Sequence, residues 1–244
     1  MYSIGSAPVS CLCRAQVLDA LDDAAALENI VFPSSLSERV RQSELFRRGC
    51  CNSLTGCVSA LDGLAVRMQR PRLSDVRTPP GTTINRKGLF AVNVQAAVGA
   101  DFKLQFFSVA TAGSCHDSTA FSVSGLERHL SNDSCLPRGF WVAADDAYTA
   151  SMRGLTPWPC RRLLWERDAF NYWQSSPQIF VEQTFGQLVG QWGILWKPMR
   201  FLFPVTKTLR VCAKIHNILI DRDSCSLVDP LESDIAGGSG EVHF

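Results

Sequence analysis

Four long stretches of the chain have the residue patterns of α-helices. They cover residues 14–29, 35–48, 177–192 and 201–220. The third carries apolar residues near a 3.6-residue period, the pattern of a helix packed on a core. The second begins with Ser35 and Glu38 at the spacing of a capping box. Ser176 and Pro177 provide an N-cap and a first helical position for the third. We therefore predict four main helices, two of them near the start of the chain.

Shorter stretches rich in β-branched and small apolar residues predict strands. They cover residues 56–61, 88–98, 102–110 and 140–144. The first is predicted to stop at Asp62-Gly63, because an acid followed by glycine is typical of a turn. The turn at 99–101 joins the second and third strands into a hairpin. A helix capped by Asp117 or Ser118 is predicted to follow through Leu130, and 150–175 is predicted as a loop with short helical pieces.

The helix at 177–192 contains one acid, Glu182, next to Val181 and close to the predicted apolar face. Burial of a lone carboxylate is costly unless a positive group pairs with it. A metal ion would satisfy this requirement. The pattern therefore predicts that Glu182 is one ligand of a metal site, and the other ligands are expected elsewhere in the chain.

Composition indicates one main globular domain: the chain has 244 residues, of which 46% are hydrophobic and 19% are charged. It has no run of 18 apolar residues, so no membrane span is predicted, and its first residues lack the features of a signal peptide. Ten cysteines are scattered without a Cys-x-x-Cys pair, which favours buried free thiols over a disulfide framework or a structural zinc. We expect a reducing setting, the cytosol or the nucleus.

Charge is nearly balanced overall, at +1, but it is unevenly distributed. Basic residues dominate 64–87 and 183–214, which suits a groove for a polyanion. The alternative is that these bases are solvated or cap carbonyl groups. Acids collect in the N-terminal helices, where they are most simply a solvated face: Asp19, Asp22, Asp23 and Glu28.

Four acids form a candidate site: Asp62, Asp117, Asp145 and Glu182. Two follow predicted strands, and chemistry in α/β sheets gathers at strand ends. Like charges brought together raise one another's pKa, and Mg²⁺ or Mn²⁺ relieves this because hard cations take oxygen ligands. Two such ions activate an attacking hydroxyl and stabilise the leaving oxygen of a phosphodiester. Taken singly, each of the first three acids also fits a turn or an N-cap.

Six motifs in a fixed order resemble the DDE domain of PIF/Harbinger transposases and the nuclease derived from them. The resemblance spans roughly residues 30–220 and implies an RNase H-like α/β fold, with a central mixed sheet flanked by helices. The motifs are Ala60-Leu61-Asp62-Gly63, Asn85-Arg86-Lys87-Gly88 with Asn93-Val94-Gln95, Gly113-Ser114-x-His116-Asp117-Ser118, Asp145-x-x-Tyr148, Val181-Glu182-x-x-Phe185-Gly186-x-Leu188 and Ile215-His216-Asn217.

By this resemblance Asp62, Asp145 and Glu182 are catalytic, and the same three with Asp117 bind a divalent metal. The family's Gly-Asp-x-Gly-Tyr pattern selects Asp145 over its neighbour Asp146, although both glycines are alanines here, at 144 and 147. The implied activity is cleavage of DNA phosphodiester bonds or strand transfer. The alternative is a domesticated DNA- or protein-binding module that does not cleave.

The resemblance also implies a domain plan and a cellular setting. Residues 1–50 are expected to be a helical segment, the remnant of a helix-turn-helix region, 51–221 the nuclease domain and 222–244 a disordered acidic tail. A shortened front region makes independent transposition doubtful and implies a separate DNA-binding partner protein. The expected location is the nucleus, with the cytoplasm as a second possibility.

The neighbouring residues receive weaker assignments. Arg86 and Lys87 either contact DNA phosphates or are solvated. His116 is expected to hydrogen-bond loop backbone, with orientation of Asp117 or a DNA contact as alternatives. Core positions with satisfied hydrogen bonds are predicted for His216 and Asn217, and core positions also for Trp192 and Trp196.

Overall fold

A five-stranded mixed sheet forms the centre of the molecule, in the order β3-β2-β1-β4-β5. The structure, a computed structural model, describes residues 9–51, 55–70, 88–113, 115–159, 163–199 and 205–226. Antiparallel pairing joins β1 to β2 and β2 to β3, whereas β1, β4 and β5 are parallel. The strands are β1 Cys57–Arg67, β2 Ala91–Val98, β3 Leu104–Ala112, β4 Trp141–Ala144 and β5 Gly154–Leu155. The predicted α/β architecture with a mixed sheet is confirmed.

Seven α-helices accompany the sheet in the part of the chain that the structure describes. They are α1 Val9–Asp22, α2 Leu36–Gly49, α3 Asp117–Ser124, α4 Leu126–Leu130, α5 Trp165–Ser175, α6 Gln178–Gln191 and α7 Val205–Ser226. The capping box at the start of α2 is confirmed, because Ser35 and Glu38 exchange side-chain and backbone hydrogen bonds. None of these helices is long and apolar enough to cross a membrane.

The core lies on both faces of the sheet, because successive residues of a strand point in opposite directions. Ala60 of β1 packs in one cluster with Val181 and Phe185 of α6. Its neighbour Leu61 packs in another, with Leu126 of α4. Helices α6 and α4 therefore cover opposite faces of the sheet, and Asp62 points to the same face as Ala60.

The prediction that β1 stops at Asp62-Gly63 is wrong. The strand continues to Arg67, since Asp62 pairs with Ala96 and Gly63 pairs with Gln95 on β2. Antiparallel pairing with β2 overrides the local tendency of Asp-Gly to turn. Asp62 consequently lies within a strand, at the level where β4 ends.

Several helix boundaries also differ from the predictions. The region after Asp117 forms two helices, because Gly125 adopts a positive φ of 82° and interrupts them. His116 occupies the N-cap position, with no side-chain capping bond.

Helix α6 is preceded by Pro177 rather than capped by Ser176. The 150–175 region contains the 11-residue helix α5. Residues 14–29 are not one helix: α1 ends at Asp22, and a 3-10 helix, Ala25–Leu27, follows. Helix α7 continues past the predicted end to Ser226.

The acids near the N-terminus are not a uniformly solvated face. Asp22, whose side chain is 4% exposed, is ion-paired with Arg210 of α7 and lies 3.8 Å from Nζ of Lys214. Lys214 also lies 2.6 Å from Glu28, and Lys207 pairs with Asp19 at 2.5 Å. Three of the bases assigned to a polyanion groove are therefore occupied by acids of the same chain. We call this group of six side chains the α7 clasp.

Candidate active site

The register of β1 and β4 places the candidate acids Asp62 and Asp145 next to each other. Leu61 of β1 pairs with Ala144 of β4 in parallel register, so Asp62 and Asp145 are the next residues of the two chains. Residues that follow a register pair on two adjacent parallel strands lie next to each other, although only β4 ends at this level. The predicted juxtaposition of Asp62 and Asp145 thus follows from the sheet register.

Asp62 has the most perturbed carboxyl of the four. Its pKa is raised from 3.8 to about 6, chiefly by burial and further by the carboxylates of Asp145, Asp117 and Glu182. The backbone N–H of Gly63, which donates to Oδ1 of Asp62 at 2.7 Å, opposes this rise. All three other candidate acids therefore act electrostatically on Asp62.

Asp145 begins the turn that follows β4. Burial raises its pKa, and the carboxylates of Asp146 and Asp117 add to this effect. The N–H of Ala147 donates to Oδ1 of Asp145 at 3.0 Å and opposes the rise. The turn with alanine at 144 and 147 therefore still holds the Asp145 carboxylate by a backbone hydrogen bond.

Asp117 is the first residue of α3 and lies over Gly63 of β1. A Cβ atom at Gly63 would come within 2.8 Å of Oδ1 of Asp117 and 3.0 Å of Nε2 of Gln95, so glycine is needed for this close approach. Asn93 of β2 donates to the same carboxylate oxygen at 2.8 Å. Asp117 approaches the site from the Gly63 face of the sheet, opposite to the face to which Asp62 points.

Glu182 lies on α6 with its side chain exposed to solvent. The helix buries its neighbours instead, including Val181, Thr184 and Phe185. The expectation that Glu182 is near the apolar face and costly to bury is therefore wrong. Its carboxylate still raises the pKa of Asp62, although less than the carboxylates of Asp145 and Asp117 do.

Comparison with known proteins identifies the family. A profile of the DDE superfamily endonuclease family matches residues 61–217, which include all four candidate acids. The chain belongs to the DDE superfamily endonuclease family. It is also 22% identical over 219 residues to a protein from Arabidopsis thaliana, "Protein ALP1-like", covering 84% of this chain and 52% of the relative. The chain thus spans about half the length of that curated relative. No solved structure matches it.

The carboxylates of this DDE domain suit a divalent cation chemically, since all four offer hard oxygen donors. Their mutual repulsion at Asp62 is the electrostatic condition that a cation relieves. Within the described ranges, however, no three His, Cys, Asp or Glu side chains lie close enough to hold one ion. Asp117 lies over Gly63, on the face of the sheet opposite to the one to which Asp62 points.

Other assignments meet mixed outcomes. His216 and Asn217 are buried with satisfied hydrogen bonds, as predicted: His216 contacts Gln191 and the carbonyl of Phe102, both at 3.0 Å, and Asn217 bonds both backbone groups of Leu104. Trp196 is 70% exposed, so its predicted core position is wrong. Trp192 packs against the core as predicted.

The structure describes His116 but not Arg86 or Lys87, so only the prediction for His116 can be compared with it. His116 contacts the Ser118 hydroxyl at 3.1 Å rather than loop backbone. Arg86 and Lys87 lie outside the described residues, as do most bases of 64–87 and the chain beyond 226.

Three polar residues of the site received no role from the sequence: Asn93, Gln95 and Tyr148. Asn93 and Gln95 lie on β2, where all but one of the residues are buried, and they are only 7% and 2% exposed. Two amides two positions apart on a buried strand share one face, and buried polar groups require partners. That pattern was the available signal for a polar network.

Proposed function

We propose that this DDE domain is a divalent-metal-dependent enzyme that cleaves DNA phosphodiester bonds or transfers DNA strands, with Mg²⁺ or Mn²⁺ as its cofactor. The observation that carries the proposal is the parallel register that puts Asp62 beside Asp145, where burial and three further carboxylates raise the pKa of Asp62 to about 6. Grouped acids with perturbed pKa values are typical of functional sites. An RNase H-like arrangement of the mixed sheet is part of this proposal.

The four acids have distinct roles in the proposed site. Asp62, Asp145 and Glu182 hold the metal and are the catalytic residues, and Asp117 is the fourth ligand. When bound, the ions activate the attacking oxygen and neutralise the leaving oxygen. Asp62 and Asp145 are fixed by the sheet and by backbone N–H donors, whereas Glu182 is delivered by α6. Water or a DNA 3′-hydroxyl is the attacking group.

The substrate and setting follow from the proposed reaction. We propose DNA as the polyanion on which the carboxylate site acts, and the nucleus as the setting, with the cytoplasm as the second candidate. The α7 clasp pairs Lys207, Arg210 and Lys214 with acids of the same chain, so DNA would have to compete with these acids for the bases. We therefore propose that a separate DNA-binding protein supplies part of the target recognition.

The test is cleavage of supercoiled DNA by the purified chain with Mg²⁺ or Mn²⁺. Replacing Asp62→Ala, Asp145→Asn or Glu182→Gln is expected to lower the rate by about 10³-fold or more, because each removes a metal-holding carboxylate. Asp146→Asn is the matched control, since Asp146 is adjacent and exposed but has no assigned role, and it should retain cleavage. Cleavage that persists in Asp62→Ala would refute the mechanism.

A second candidate is a binding module for DNA or protein that does not cleave. The observation in its favour is that Glu182 points to solvent and that, among the described residues, no three acids come within reach of one ion. Calorimetric titration with Mn²⁺ separates the two candidates. Binding that is lost in Asp62→Ala supports the enzyme, and absence of binding in both proteins supports the module.

A further inference from the structure

Three buried side chains form a continuous hydrogen-bonded chain that ends on Asp117. The hydroxyl of Tyr148 donates to Oε1 of Gln95 at 2.7 Å. Nε2 of Gln95 donates to Oδ1 of Asn93 at 2.8 Å, and Nδ2 of Asn93 donates to Oδ1 of Asp117 at 2.8 Å. Tyr148, Gln95 and Asn93 are 6%, 2% and 7% exposed, so each hydrogen bond replaces a contact with water.

The direction of this chain is fixed by its last member. A carboxylate only accepts hydrogen bonds, so Asn93 must turn its NH₂ group to Asp117 and its oxygen to Gln95. Gln95 must then turn its own NH₂ to Asn93 and its oxygen to Tyr148, whose hydroxyl is left to donate. Every amide orientation agrees with this single arrangement, and burial keeps the pKa of Tyr148 well above its ordinary value, so the donor proton is retained.

The chain connects two separate parts of the site. Tyr148 lies three residues after Asp145, in the turn that follows β4, whereas Asp117 lies on α3. The ring of Phe121, also on α3, meets the ring of Tyr148 edge-on, with centroids 5.5 Å apart and planes at 88°. Helix α3 and the turn after β4 are thus joined by one aromatic contact and one polar chain, both on the Gly63 face of the sheet.

We infer that Asn93, Gln95 and Tyr148 are positioning residues: they hold the Asp117 carboxylate in one orientation and tie it to the turn that carries Asp145. The inference deepens the proposed function and rests on it where metal binding is concerned. It also gives a role to the Asn93-Val94-Gln95 motif, whose two buried amides are hydrogen-bonded within this network. Groups that orient metal ligands typically change metal affinity or activity by about 10–100-fold when they are removed.

A charge swap tests the chain of bonds without any metal. Asn93→Asp places a carboxylate against Asp117, and we expect the thermal midpoint Tm to fall by on the order of 5 °C. Combining Asn93→Asp with Asp117→Asn restores a donor for the new carboxylate, which still accepts from Gln95, so most of the Tm is expected to return. Absence of this recovery would overturn the inferred chain, because neighbours in one network must couple.

Metal affinity tests the positioning role. Gln95→Met and Tyr148→Phe are expected to weaken Mn²⁺ binding, measured by calorimetry, by about 10-fold or more. Gln105→Met is the matched control, since Gln105 is also a buried glutamine, 5% exposed, on the adjacent strand β3, and its described bond goes to the carbonyl of Val58. It should lower Tm and leave Mn²⁺ affinity unchanged.

The outcomes separate the two proposals. One possible result is that Gln95→Met and Gln105→Met lower Tm equally and leave Mn²⁺ affinity unchanged in both variants. That result would show that the hydrogen bonds from Tyr148 to Asp117 only stabilise the fold, and it would overturn their positioning role. A wild-type chain that binds no Mn²⁺ overturns the metal site and with it the positioning of metal ligands. The swap then decides whether the chain of bonds exists.

Discussion

Asp22 is buried and Asp62 is partly buried, but the charged groups around their carboxylates differ. Asp22 faces α7, where Arg210 donates two hydrogen bonds to its carboxylate and Lys214 lies 3.8 Å away. Asp62 instead has three other carboxylates near enough to raise its pKa. Within the ranges that the structure describes, neither Asp62 nor Asp117, Asp145 or Glu182 forms an ion pair with lysine or arginine. The acids of the α7 clasp are thus paired with lysine and arginine side chains of α7, whereas the four candidate site acids have no such partner among the described residues.

The pKa values move in opposite directions as a result. Hydrogen bonds from Arg210 lower the pKa of Asp22 below 3.8, whereas burial and like charges raise that of Asp62 to about 6. Ionised Asp22 therefore stabilises the folded protein above pH 3.8, and this contribution is lost as the pH falls below that value. Ionisation of Asp62 has the opposite effect: the folded protein becomes less stable as the pH rises from 3.8 to about 6. A carboxylate that destabilises its own fold at neutral pH is typical of a functional site, whereas the structure accounts for the paired acid Asp22 through its ion pairs.

Breaking the α7 clasp at Asp22 should have the largest effect on stability. Asp22→Ala leaves the charge of Lys214 buried, with its side chain only 8% exposed, and removal of one partner of a buried pair typically costs about 3 kcal/mol. The free energy of unfolding, measured with urea, is expected to fall by that amount. A loss below about 1 kcal/mol would show that Glu28 alone satisfies Lys214.

The pH dependence of Asp62 should be nearly as large. The rise of its pKa from 3.8 to about 6 corresponds to on the order of 3 kcal/mol, lost between those two pH values. Asp62→Asn removes this titration, so the variant is expected to gain stability over the wild type as the pH rises from 4 to 7. Urea titrations at several pH values without metal measure the difference. A constant difference across this range would contradict the raised pKa.

A smaller effect is expected where the sheet meets Asp117. Gly63→Ala forces a Cβ to within 2.8 Å of the Asp117 carboxylate, and overpacking of this kind costs about 1–3 kcal/mol. The control is Gly186→Ala on α6, where no atom lies within 4 Å of the added carbon. That change is expected to stabilise the helix by about 0.5–1 kcal/mol. Destabilisation of equal size at both positions would argue against the close approach at Gly63.

The sequence was informative where a local pattern and the tertiary structure agree. The capping box at Ser35 and the hairpin at Gly99 depend on neighbouring residues, so both were predictable. The proximity of Asp62 and Asp145 followed from strand ends, although Asp62 proved to lie inside a strand. The extension of β1 depends on pairing with β2, which no local pattern encodes.

Charge was the least predictable feature, because ion pairs join distant segments. Nothing near Asp22 in the sequence indicates Arg210, which lies 188 residues away. For the same reason the exposure of Glu182 was misjudged: its helix carries apolar residues on more than one side, and only the packed structure shows that Val181 rather than Glu182 faces the sheet. The hydrogen-bonded chain from Tyr148 to Asp117 likewise requires the sheet register.

The smallest effect is expected at the solvent-facing end of the α7 clasp. Asp19 and Lys207 lie 2.5 Å apart, but their side chains are 49% and 40% exposed, and pairs of this kind typically contribute about 0–1 kcal/mol. Asp19→Ala should therefore change the free energy of unfolding by less than about 0.5 kcal/mol, and added salt should reduce even that difference, since exposed charges are screened. A loss comparable to that of Asp22→Ala would mean that the clasp acts as one network, in which case the contrast with Asp62 would depend on the whole surface of α7 rather than on the buried pair.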